Sequence, residues 1–203
     1  MNNTKVDDDL KTLGKCKDYI SKILFNSDDV RNLTMPILDD DRFDAQDNFF
    51  GGSKLEYYDK SINETLYVDL LGHCFDVPYI VDTITETPAL ITMESYVTRM
   101  ENEHVKEVEI DIYAFAHKDH IHMKPKEKSQ YSKRGYSGNR VDMMCSAIWL
   151  ALKEADRPKE FGIGKITFNP RNPILPYQPN NKFYGKKLSF LCSDFFVKPK
   201  NQR

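Results

Sequence analysis

The stretch Val105–His117, VKEVEIDIYAFAH, decides the fold. Val108, Ile110, Ile112, Ala114 and Ala116 recur at every second position, with Glu109, Asp111, Tyr113, Phe115 and His117 between them. Successive side chains of an extended chain point to opposite faces, so this period marks a strand with one face on a core. The first set is expected to face inward. Upstream, ALITMESYVTRM at 89–100 is equally rich in β-branched and aromatic residues, and only the polar ENEH of 101–104 separates the two runs. Two adjacent antiparallel strands joined as a hairpin follow.

The sequence on either side of this hairpin reads as helix and strand. Residues 8–26 place Leu10, Leu13, Cys16, Ile20, Ile23 and Leu24 mostly at three- and four-residue steps, with lysines between, the pattern of an amphipathic helix. SDD at 27–29 is placed to cap a second short helical turn, NSDDVRNL, which Pro36 prevents from continuing. The clearest helix lies at 138–155, where Val141, Met144, Cys145, Ile148 and Leu152 share a face, Ser137 or Asn139 is the N-cap, and Pro158 follows the end. The tail supplies FGIGKITFN as a strand and KFYGKKLSFLCSDFF as its long partner. Residues 35–78 carry no sustained period and read as a long insertion or extended arm, while 124–140 and 169–182 read as long loops. The predicted fold is α+β: a mostly antiparallel sheet of two hairpins packed against two main helices, in a single domain spanning 1–203.

Composition excludes some functions. The formal net charge of −2 gives no general pull toward nucleic acid or membrane, and 40% hydrophobic residues are enough for a real core. Cys16, Cys74, Cys145 and Cys192 are far apart, form no CxxC pair and mostly sit among apolar residues, as reduced buried thiols do. MNNTKVDDDL has neither a basic n-region nor an apolar h-region, and no apolar run approaches the roughly 18 residues of a membrane span, so a soluble, non-secreted protein is expected.

Three constellations bear on chemistry. His117, Asp119, His120 and His122 fall within six residues and are candidate metal ligands. On a continuing strand His120 and His122 share a face that His117 does not, and no HExxH or cysteine partner accompanies them. The strand is therefore expected to end near His117, leaving the histidines as a pH-sensitive partner contact. Asp39, Asp41 and Asp44 invite a calcium reading but lack the glycine and closing glutamate of an EF-hand loop. Neither FFGGSK nor FGIGK matches a phosphate-binding loop. In the basic run 124–140, Lys126, Lys128, Lys133 and Arg134 interleave with Tyr131 and Tyr136, a set suited to an acidic protein partner or, through phosphate contacts and stacking, to nucleic acid. No catalytic residue, cofactor or membrane contact is expected.

The series helix, TETPALITMESYV, VKEVEIDIYAFAHKDHI, NRVDMMCSAIWLALKE, FGIGKITF and FYGKKLSFLCSDF resembles neck proteins of tailed bacteriophages, of the tail-terminator or head-tail completion type, over about residues 8–26 and 79–196. The resemblance implies a structural virion protein at the head-tail junction: a cyclic homo-oligomer, commonly a hexamer, that caps the tail tube and meets the head-side connector or stopper. It also implies assembly in the host cytoplasm and, in the ring lumen, loose contact with genomic DNA. A stopper or adaptor in the same neck is the nearest alternative. From other classes, the alternatives are a small metalloenzyme using the histidine group and a nucleic-acid-binding module using 124–140.

Overall fold

The alternating run becomes the central strand of an open sheet. In the computed structural model of the protein, the structure describes residues 3–34, 49, 54–59, 64–69, 73–75, 89–100, 105–155 and 166–196. The helices are α1 (Asn3–Asn26), α2 (Asp28–Thr34), α3 (Pro125–Lys133) and α4 (Arg140–Glu154). The strands are β1 (Lys54–Asp59), β2 (Glu64–Asp69), β3 (Cys74–Phe75), β4 (Ala89–Met100), β5 (Val105–His117), β6 (Ile166–Phe168), β7 (Ile174–Tyr177) and β8 (Phe183–Phe196). The main sheet runs β3-β4-β5-β8-β6, with β7 also paired to β8, and β1 and β2 form a separate antiparallel pair. Every pairing in the main sheet is antiparallel except the two-residue parallel match of β3 with β4. This is the expected α+β fold.

Val108, Ile110, Ile112, Ala114 and Ala116 are all fully buried, as their alternation requires. Register carries the same face across the sheet, setting Ile112 opposite Met93 on β4 and Leu188 on β8, and Ile110 opposite Phe190. Onto this face pack Cys16, Ile20 and Leu24 of α1, Val30 and Leu33 of α2, and Val141, Met144, Cys145 and Ile148 of α4. Burial of each large apolar side chain contributes about 1.5–3 kcal/mol. Trp149 of α4 closes the far end against Phe168, which stacks on Phe190, at ring separations of 4.4 and 4.8 Å.

Caps fix the helix starts. The Asn139 side chain accepts from the Asp142 amide at 3.0 Å while Asp142 accepts from the Asn139 amide at 2.9 Å, so Asn139 and not Ser137 begins α4. Ser27 accepts from the Val30 amide and starts α2. α1 begins at Asn3, earlier than residue 8, because its first turns are polar and an apolar period cannot mark them.

Two of the expected loops are structured. Within 124–140 the chain forms α3, which opens on Pro125 in its first turn and buries only Tyr131, so no apolar stripe betrayed it. Within 169–182 it forms β7, which pairs with β8 over Gly185–Leu188, beside the segment where β6 pairs. Pro176 is tolerated there because this is an edge strand among the described residues. Two main helices are thus joined by two shorter ones.

In the 35–78 segment, Phe49 is fully buried in the helix-side core and Cys74 is buried beside it. The His73 amide donates to the Phe49 carbonyl at 2.8 Å, the Ile91 amide donates to the His73 carbonyl at 2.7 Å, and the His73 ring bonds the Ala89 carbonyl through Nδ1 at 2.8 Å. Asp39, Asp41 and Asp44 and the glycines of both candidate phosphate loops lie outside the described residues.

Candidate functional site

β5 ends at His117 and turns through a short 3-10 helix, Lys118–His120. Here His117 Nδ1 lies 3.3 Å from Asp119 Oδ2, and the His117 ring sits edge-on to Phe183 at 5.3 Å. The His120 ring is 6.3 Å away at a 59° tilt, and His122 is exposed. Among the described residues no group of three or more histidine, cysteine, aspartate or glutamate side chains is placed to hold a metal ion. The turn brings His117 and Asp119 together and leaves His122 exposed.

The basic run divides in two. Lys126, Lys128 and Lys133 are exposed on or at the end of α3, whereas Tyr131 and Tyr136 are buried and meet edge to face at 6.1 Å. Both tyrosines are packed into the hydrophobic core and are not exposed with the lysines. Tyr136 Oη donates to Asp29 Oδ2 at 2.7 Å, and Arg134 is bonded to the other Asp29 oxygen. Burial first, and then the hydrogen bond to Asp29, push the Tyr136 phenol above its ordinary pKa.

Arg140, outwardly one more cation of the run, is only 3% exposed. Its Nε donates to the His120 carbonyl at 2.8 Å, one terminal nitrogen to the Leu33 carbonyl at 3.2 Å, and the other to Glu127 at 2.8 Å. The planar fork of donors ties the end of α2, the histidine turn and α3 to the start of α4. Sequence reasoning missed this because a buried arginine and a solvated one look alike inside a cationic run. The one available signal was its position just after a good N-cap, where the helix begins to pack.

Between the C-terminal half of α1 and the outer side of α4 runs a groove of about 780 Å³. Tyr19 and Ile23 of α1 line it together with Ala147, Leu150 and Ala151 of α4, and Tyr136. Ala147 and Ala151 are one helical turn apart, and their small side chains leave the space that a larger residue would fill. Leu150 is 39% exposed beside it. Charges sit at the rim: Asp29 is committed to Arg134 and Tyr136, while Lys22 and Glu154 are exposed. The lining is mixed, with Lys22, Asn26, Ser27, Arg134 and Glu154 beside the apolar residues.

The sheet face away from α1 and α4 holds a second polar cluster. Asp111 is 3% exposed and accepts from Ser189, from Lys187 Nζ at 2.6 Å and from Tyr96 at 3.2 Å. Next to it Asn169 donates to Glu109 at 2.9 Å, and Tyr113 packs on Tyr177 at 4.6 Å. Burial, then the charges of Asp111 and Glu94, push the Tyr113 phenol up to about 12. With its carboxylate matched by a cation and two hydroxyls, the cluster is a closed structural network.

The family model described as YomW matches residues 18–192, from within α1 to the middle of β8. No curated protein and no solved structure matches the chain.

Proposed function

Since the chain belongs to the YomW family, which is named after a Bacillus phage-region gene product and marks it as phage-related, we propose that it is a structural, non-enzymatic virion protein of the head-tail junction. In this reading it forms a ring, commonly a hexamer, that terminates the tail tube and joins it to the head-side connector. The observation that carries the reading is the distribution of exposed apolar side chains. Leu150 at the groove, Ile174 and Leu175 on β7, and Tyr96 on β4 are exposed, on a body whose parts Arg140 and Asp29 tie together. A rigid body with outward apolar features is built for contact with other proteins. The exposed Lys126, Lys128 and Lys133 add a cationic surface for an acidic partner or for loose contact with DNA in the lumen. Among the described residues no helix is long and apolar enough to cross a membrane.

The test is to mix the purified protein with tail tubes and with connectors, then image the particles and measure their mass. Cyclic particles or capped tube ends are expected. Binding to connectors but not to tubes would assign the stopper or adaptor role instead. A monomer indifferent to both overturns the reading.

A further inference from the structure

His73 ties Phe49 and β3 to the edge of the sheet, and it does so with a titratable ring held out of water. The residue is 9% exposed. Its amide donates to the Phe49 carbonyl, its carbonyl accepts from the Ile91 amide, and Nδ1 lies 2.8 Å from the Ala89 carbonyl. A carbonyl oxygen only accepts, so Nδ1 carries the proton and Nε2 of the neutral ring carries a lone pair. Among the described residues Nε2 has no hydrogen-bond partner. The next two residues, Cys74 and Phe75, pair with Ile91 and Thr92 as β3.

The surroundings offer nothing to a second ring proton. Phe49 and the run Ala89, Leu90 and Ile91, to which His73 is bonded, carry no charged side chain, and Phe49 packs in turn on Phe25 of α1 at 5.7 Å. The titratable group beside it on its own strand is the buried Cys74 thiol, of a type that is neutral in mild acid. An imidazolium at this place is a buried charge without a carboxylate, and its new N–H meets no acceptor among the described residues. Burial therefore lowers the His73 pKa, and the bond to Ala89 opposes this only in part.

We propose that His73 is a proton-sensitive latch: the neutral ring keeps Phe49 and β3 closed on the edge of β4, and the charged ring releases them. The inference does not depend on the ring reading above. Opening is local, because β4 stays paired with β5 from Ala89 to Met100 whether or not β3 is in place. It uncovers the seat of Phe49 beside Phe25 and the β4 edge at Ile91 and Thr92, and a bare strand edge is a template for pairing with another chain.

Linkage gives the sign and the size. In the open state the ring is in water and takes its proton at about 6.5, whereas in the closed state it resists the proton to a lower pH. Closure is therefore complete above about pH 6.5. As pH falls further the opening constant rises, approaching about tenfold per pH unit until the closed ring also charges.

Hydrogen exchange followed by NMR on the full chain tests this, with the His73 and Ile91 amides reporting the latch and the amides of β5 reporting the sheet. After correction for intrinsic rates, protection at His73 and Ile91 is expected to fall as pH drops from about 7 to 5, with a slope approaching about tenfold per unit, while β5 keeps its protection. The His73 ring protons are expected to titrate below about 6.5, in step with that fall. His73→Gln keeps an amide donor but cannot charge, so protection at position 73 and at Ile91 is expected to be the same across this range. Wild-type protection that does not change with pH, a His73 titration at or above about 6.5, or a Gln variant as pH-dependent as the wild type overturns the proposal. So does a loss of protection shared equally by β5, because the opening is then global. Should the Gln variant be open at every pH, the wild type decides: loss in step with the His73 titration supports the latch, and loss out of step overturns it.

Discussion

The two faces of β5 use the same thirteen residues to satisfy different demands. On the inner face Val108, Ile110, Ile112, Ala114 and Ala116 vanish from solvent into a helix-covered core. On the outer face Asp111 is almost as deeply buried as they are, yet it is a charge, held by Lys187, Ser189 and Tyr96. Inner burial is non-directional and tolerates any apolar side chain of fitting volume. Outer burial is directional, because an ionised carboxylate out of water must have its partners in place. The difference teaches that alternation tells which face is apolar, not which face is buried.

The sharpest way to break this comparison is to remove the largest inner side chain at the layer boundary. Phe190 is fully buried, stacked on Phe168 and within 6.1 Å of Trp149. Phe190→Ala loses both its transfer free energy and the space left behind, an expected cost of about 3–5 kcal/mol. Urea unfolding should show the midpoint falling with little change in slope. A loss below about 1 kcal/mol would mean that the inner face is not the packed core described here.

On the outer face the expected loss is smaller and depends on the chemistry of the replacement. Asp111→Ala strands Ser189, which is fully buried, and frees Lys187 to reach water from a side chain that is 22% exposed. Leaving a buried hydroxyl without its acceptor costs about 1–3 kcal/mol. Asp111→Asn keeps an acceptor for Ser189 and loses only the charge partner of Lys187, so it should recover part of the deficit. Equal losses for the two variants in the same urea titration would show that shape, and not hydrogen bonding, governs this face.

The legibility of the molecule follows the same division. The strands β4, β5 and β8 and the helices α1 and α4 were readable because apolar period and caps such as Asn139 are local signals. α3 was not, because its one buried residue, Tyr131, makes no period, and β7 was hidden by prolines that only an edge position excuses. At the site, the exposed lysines were where a cationic run puts them. Arg140, Tyr131 and Tyr136 were not, since burial of a polar or amphipathic side chain depends on partners such as Leu33 and Asp29 that lie far away in sequence. The groove needs α1 and α4 side by side, and no single stretch of sequence contains both.

The smallest predicted effect tests whether charge pairing between the layers matters as it does within the outer face. Lys186 of β8 reaches the first turn of α4 and bonds Asp142 at 2.6 Å, with both side chains 29% exposed. For Asp142, partial burial raises the pKa, but the hydrogen bond from Lys186, the Asn139 amide and the lysine's charge together bring it below the ordinary carboxylate value. For Lys186, the hydrogen bond to Asp142 outweighs desolvation and raises the pKa. A depressed carboxylate contributes stability that is complete above its unfolded pKa of about 3.9 and is lost as pH falls through the folded value. A raised lysine contributes stability that is complete below its unfolded pKa of about 10.4 and is lost as pH rises through the folded value. The pair should therefore give a plateau between those limits, and solvent screening at this exposure holds it to about 1 kcal/mol or less. Lys186→Met removes it. The difference in urea midpoint between wild type and Lys186→Met should be constant from about pH 5 to 9 and shrink below about pH 4. A difference that persists undiminished at about pH 2 would show that the ion pair with Asp142 is not what Lys186 contributes.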